Sequence, residues 1–259
     1  MEKEKVIKYI HNSVIGPQSI IGVLEAGLDL VVAIQPKNIL EVGFGRGDWS
    51  LASACMLENS PQYFGIDNFS VVPAGKENDT DEKNWPDSIS KLAYSVKLKK
   101  KLLGLNNNFT LENVDITNTS SFYRVLKSFN KKFDLIRLDC LCREKKEVRE
   151  ALDTLLKFTA KDFVLFVDDA GASGCVVRLL ACLDLVDEGK LIPVWFSEDE
   201  VAFANPEYNI DLLYEKFYAT EKRYFYRTVK DFHHNTAKQS YPVLVTKVLP
   251  DIKVVFKGL

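Results

Sequence analysis

The stretch Asn38-Ile-Leu-Glu-Val-Gly-Phe-Gly-Arg-Gly-Asp-Trp-Ser50 constrains this chain more than any other. An apolar run meets an acid, Glu41, and then breaks into Gly43, Gly45 and Gly47 on alternate positions; Trp49 to Leu57 after it reads as helix. Strand, glycine turn and helix together bring bare backbone to a ligand, because glycine turns sharply with no Cβ in the way. The first N–H groups of the helix then point at whatever sits there. A dinucleotide fingerprint, G-x-G-x-x-G, needs a third glycine at position 48, where this chain has Asp48. The plainer alternative is a βα turn that only packs a helix on a strand.

Strands that close on an acid recur downstream. Gln62 to Asp67 ends 26 residues after Glu41, one βα repeat, so the two strands are expected to be parallel neighbours ending on one sheet edge. Ligands of open α/β sheets bind along that edge. Phe109 to Val114 closes on Asp115, Phe133 to Leu138 on Asp139, and Phe163 to Val167 on Asp168 and Asp169. Helices are expected over Ser88 to Leu103, with Gly104 ending the first of them, and over Thr117 to Phe129, Arg143 to Thr159 and Ser173 to Glu188. Leu191 to Phe196 and Val201 to Ala204 read as a hairpin.

The predicted fold is therefore α/β and Rossmann-like, a seven-stranded sheet, mostly parallel, closed by an antiparallel hairpin. One domain is expected, with a core over 36–205. A helical extension over 1–35 precedes it, with helices over 3–12 and from Gln18 to Ile34, the second stopped by Pro36. That extension is either a cap or a homodimer contact. A further extension over 206–259 holds an aromatic-rich helix, Ile210 to Lys230, and strands over Tyr241 to Val248 and Asp251 to Phe256.

Composition narrows the partners. With 34 basic and 36 acidic residues the net charge is −2, which gives no electrostatic footprint for nucleic acid. No apolar run approaches the roughly 18 residues of a membrane span, and Met-Glu-Lys-Glu-Lys lacks a signal peptide's apolar core. Five cysteines, an odd number, fit reduced thiols in a cytoplasmic protein. Neither Cys140-x-Cys142 nor the three histidines give zinc-ligand spacing.

The motif Glu41-x-Gly43-x-Gly45-x-Gly47 resembles the first motif of the class I S-adenosylmethionine (SAM)-dependent methyltransferases. The resemblance implies that the glycine loop lies against the amino-acid part of SAM and that Glu41 helps hold its ammonium group. It implies further that Asp67, with Asn68 beside it, accepts hydrogen bonds from the ribose diol, and that Asp115, with Ile116, meets the adenine. Helix capping is the other reading of Asp67 and of Asp115.

Asp139, Asp168 and Asp169 close two different strands, and neighbouring strand ends lie about 5 Å apart. Carboxylates converging there repel one another unless something positive sits between them, and a hard divalent ion such as Mg²⁺ answers that need. Capping of the helices that follow is the alternative. The arrangement resembles the metal-dependent macrocin or sugar O-methyltransferases, in Gly65-Ile66-Asp67, Leu138-Asp139 and Val167-Asp168-Asp169, over roughly 36–172. The resemblance implies methyl transfer to a hydroxyl of a small molecule, a saccharide or glycoside first, with the metal lowering the hydroxyl's pKa. Those relatives carry an Asp-His pair where this chain has Leu141 and Cys142. Either the base falls to Asp139 or Asp169, or His233 or His234 reaches in from the tail, or the metal site is not used. Binding of SAM without transfer is the alternative function. The loop from Asn68 to Ser88 and the tail helix are the expected substrate walls.

Overall fold

A computed structural model describes residues 21–68, 88–140, 144–168, 170, 176–196, 200–220 and 243–244. Among the described residues the first element is α1 (Ile21–Ile34), and two βα steps follow: β1 (Asn38–Val42) with α2 (Asp48–Met56), then β2 (Gln62–Asp67) with α3 (Ile89–Leu103). Next come β3 (Phe109–Asn113), α4 (Thr119–Ser128), β4 (Phe133–Leu138), α5 (Lys145–Leu155), β5 (Thr159–Val167) and α6 (Val176–Asp187). The hairpin β6 (Ile192–Phe196) and β7 (Val201–Ala204), α7 (Ile210–Thr220) and the two-residue β8 (Val243–Leu244) complete it.

The sheet order is β3-β2-β1-β4-β5-β7-β6-β8. The five strands from β3 to β5 are parallel and the last three pair antiparallel. Chain order reverses between β1 and β4, and the crevice at such a reversal is where open α/β sheets take ligands. The predicted seven-stranded sheet is present, and β8 adds an eighth strand from the C-terminal extension. The strand expected at Asp251 to Phe256, the helix over 3–12, and the segment from 69 to 87 lie outside the described residues. No described helix is long and apolar enough to cross a membrane.

Side-chain alternation decides what each face buries. Leu40, Val42, Ile136, Leu138, Leu165 and Val167 face α4, α5 and α6. Ile39, Tyr63, Leu135, Val164 and Phe166 face the other way, toward α1, α2 and α7. With both faces covered, the central strands read as continuous apolar runs. Glu41 and Arg137 break that rule as charged residues that are nonetheless buried.

Several expected bounds move by a residue or two, and a larger shift falls at the start of β5. The helix predicted over Arg143 to Thr159 stops at Leu155, and a 3₁₀ turn, Leu156–Phe158, leads into β5 four residues before the apolar run begins. Phe133 pairs with Thr159 but Leu135 pairs with Val164, so extra residues bulge from β5 and carry no apolar alternation. Gly65 shows why a glycine stands mid-strand: the ring of Phe44 lies over it, and a Cβ there would overlap that ring and come within 2.7 Å of Leu111 Cδ2. Gly65→Ala is accordingly expected to lose about 1–3 kcal/mol by overpacking, read by urea unfolding.

Candidate functional site

The turn after β1 is shaped by glycine. Gly43, Gly45 and Gly47 all have positive φ, at 87°, 51° and 71°. A Cβ at Gly43 would overlap the carbonyl oxygen of Asp139, so the turn lies flush against the end of β4. The amides of Gly43 and Phe44 donate to Ile66 O at 2.8 and 3.1 Å, and that of Gly45 donates to Asp67 Oδ2 at 2.6 Å. Gly47 starts α2 with no side-chain cap, and Asp48 supplies the negative charge of its first turn, paired with Lys99 at 2.7 Å and Arg46 at 3.1 Å.

Parallel register places Glu41 beside Arg137, and Arg137 beside Phe166. Two residues on, the same face carries Asp139 and Asp168 at the strand ends; Glu200 leads into β7, which runs the opposite way. Arg137, 7% exposed, sits at the centre of these acids. Its Nη1 donates to Glu41 Oε1 at 3.0 Å and to Asp139 Oδ2 at 2.7 Å; Nη2 lies 2.8 Å from Asp168 Oδ2, and Nε 3.7 Å from Glu200 Oε1. The guanidinium lies 5.4 Å from the Trp49 ring centroid, within cation–π range. Asp139 is also approached by Arg178 of α6, whose Nη1 stands 3.5 Å from Oδ1 and donates to Cys140 O at 3.1 Å.

These contacts sort the acids by charge. Burial pushes Glu41 up to about 7, against the pull of Arg137 and the 2.6 Å hydrogen bond from Ser50 Oγ. Burial also drives Glu200 well above the usual carboxylate range, with Asp168 adding repulsion, and the two carboxyls are hydrogen-bonded to each other. Asp168 is buried too, yet Arg137 and its hydrogen bonds hold it below the ordinary value. Burial raises Asp67, opposed by the amides of Gly45 and Asn68.

The turn 43–47, Asp67, Asn68, Asp139 and Asp168 lie together along the carboxyl edge. Glu41 lies deeper, held inside by Ser50 and Arg137. Asp115 is exposed, and its Oδ1 accepts from the amide and hydroxyl of Thr117 at 2.9 and 2.7 Å, whereas Asn118 caps α4. Ile116 packs in the main core. Asp169, Leu141, Cys142, His233 and His234 lie outside the described residues.

Between Asp139 and Asp168 the described residues place a guanidinium, that of Arg137, while the third expected metal ligand, Asp169, lies outside them. No group of three or more His, Cys, Asp or Glu among the described residues is arranged to hold a metal. Arg137, Arg178, Ser50 and Glu200 were missed from the sequence. A signal for Arg137 was there: charges of opposite sign stand at interior positions of two apolar strands, Glu41-Val42 and Arg137-Leu138.

The fold is that of the class I methyltransferases. The O-methyltransferase of Bacillus cereus, in complex with SAH, aligns at 16% identity with a TM-score of 0.52, covering 78% of this chain and 89% of that one. The SAH-bound Podospora anserina methyltransferase PaMTH1 aligns at 15% identity and 0.51, covering 78% and 87%. The calicheamicin methyltransferase CalS11 aligns at 16% and 0.52, covering 78% and 90%. At such identities the likeness is one of fold. No family model and no curated protein sequence matches the chain.

Removing one partner of a buried ion network leaves the others uncompensated, so Arg137→Met is expected to cost about 3–5 kcal/mol in denaturant unfolding. Glu41 gives a pH signature. Its folded value, about 7, exceeds the ordinary value of 4.5, so the folded state holds the proton more tightly. That contribution is full below 4.5 and lost as pH rises to about 7. Glu41→Gln should flatten this part of the stability–pH curve.

Proposed function

We propose that this protein is a SAM-dependent methyltransferase acting on a hydroxyl of a small molecule, with a saccharide or glycoside as the first substrate class. The reading is carried by one observation: the glycine turn lies on the carboxyl edge at the β1/β4 reversal, with Asp67 hydrogen-bonded to its Gly45 amide. SAM supplies an electrophilic methyl group on its sulfonium. The backbone of Gly43 to Gly47 would lie against its amino-acid part, Asp67 and Asn68 would hold the ribose diol, and Asp115 and Ile116 would bound the adenine. Glu41 acts on that site through Arg137 and Ser50, which hold its carboxylate.

On the acceptor side Asp139, about a third exposed at 31% of its side chain, is the carboxylate placed to accept a hydrogen bond from the substrate hydroxyl. Positioning of that hydroxyl is the work expected of these residues. What speaks against a divalent ion between Asp139 and Asp168 is that one oxygen of each is already held by Arg137 and the other oxygen of Asp139 faces Arg178.

SAM binding without transfer is favoured by the same engagement of Glu41, Asp139 and Asp168 with Arg137. Calorimetry with SAH tests the common part: the wild type binds, and Asp67→Ala weakens binding by about 10–100-fold, the worth of one or two charged hydrogen bonds. No SAH binding by the wild type would sink both readings. Labelled methyl transfer from SAM to a panel of glycosides separates them.

A further inference from the structure

We propose that the guanidinium of Arg137 is the resident cation of this centre, holding Asp139 and Asp168 where a divalent ion would otherwise hold them, so that the centre is complete without a metal. The use the centre serves rests on the methyltransferase reading, while the identity of its cation stands apart from it.

Three features fix the assignment. Arg137 belongs to β4, which is hydrogen-bonded to β1 on one side and β5 on the other, so its backbone has no freedom to withdraw. Its two Nη atoms reach the two acids at 2.7 and 2.8 Å, the length of charge-assisted hydrogen bonds. The planar fork spans two carboxylates on adjacent strands as a point charge does not. Glu41 and Trp49 then close the remaining sides of the guanidinium.

The charge balance agrees. Two cations, Arg137 and Arg178, stand against the two strand-end acids, Asp139 and Asp168. A divalent ion needs oxygen ligands at about 2.0–2.6 Å, and here it would have to share Asp139 Oδ2 and Asp168 Oδ2 with a guanidinium of like sign. Arg137 is thus a positioning residue. It sets where the two strand-end carboxylates stand and ties them to Glu41 beneath the glycine turn.

Titration of the full-length protein with Mn²⁺, followed by the ion's paramagnetic resonance signal and by thermal melting, tests this. The wild type is expected to bind no Mn²⁺ at millimolar concentration and to melt at the same temperature with Mn²⁺ or with a chelator. Arg137→Ala, which exposes Asp139 and Asp168 to each other, should gain one Mn²⁺ and rise in Tm by several degrees on its addition. Adding Asp168→Asn should abolish both effects. Mn²⁺ binding by the wild type that Asp168→Asn removes would overturn the proposal, as would a folded Arg137→Ala that takes up no ion. If Arg137→Ala does not fold, the wild-type titration with its Asp168→Asn control decides the matter. SAH calorimetry on the same wild-type sample keeps the two ideas separate: its failure would remove the methyl-donor reading and leave the Mn²⁺ result intact.

Discussion

A guanidinium in the middle strand of a sheet covered on both faces is almost wholly removed from water, so its charge must be answered from inside. Arg137 is answered by Glu41 from β1, Asp139 from its own strand, Asp168 from the end of β5 and Glu200 from the approach to β7. Four segments must therefore meet in one register. A slip of one residue between β1 and β4 would turn Glu41 to the opposite face, among Leu40, Val42 and Ile136, and leave Arg137 short of a partner. The network costs desolvation, and apolar replacements of similar volume are often no less stable. What it contributes is a fixed arrangement of strand ends.

That arrangement joins the two halves of the site. The glycine turn rests on the end of β4 at Asp139, and Glu41, at the foot of the turn, is bound to the same guanidinium as Asp139. Ser50, on the first turn of α2, donates to Glu41 as well. The turn, the helix it starts and the carboxylates across the crevice thus share one set of hydrogen bonds. Chemistry at such a site depends on positioning, where a displacement of about 1 Å matters.

Most of the fold was legible. β1 and β2 fall where the apolar runs and their closing acids put them, and Gly104 ends α3 in the left-handed conformation that its place predicts. Local composition suffices there because periodicity and turn chemistry both act within a few residues. The start of β5 was not legible, since Thr159 joins the sheet by pairing with Phe133 and the residues that follow bulge, with no apolar pattern of their own. The site was half legible. Asp67 and the glycines announce themselves by type and spacing, whereas Asp115 left adenine contact and helix capping both open, and in the structure its carboxylate is engaged by Thr117 while Asn118 caps α4.

The order of strands and helices, the glycine turn and the acids that end the strands were all written in the amino-acid order, because each follows from short-range rules of backbone and side-chain periodicity. So was the need of converging carboxylates for a positive partner. Which partner answers them depended on the folded arrangement. Glu41 and Arg137 are 96 residues apart, and their contact exists because β1 and β4 are neighbours at the point where strand order reverses. Sequence spacing carries no information about that pairing; the sheet supplies it, and with it a cation that the chain had carried within its own fourth strand.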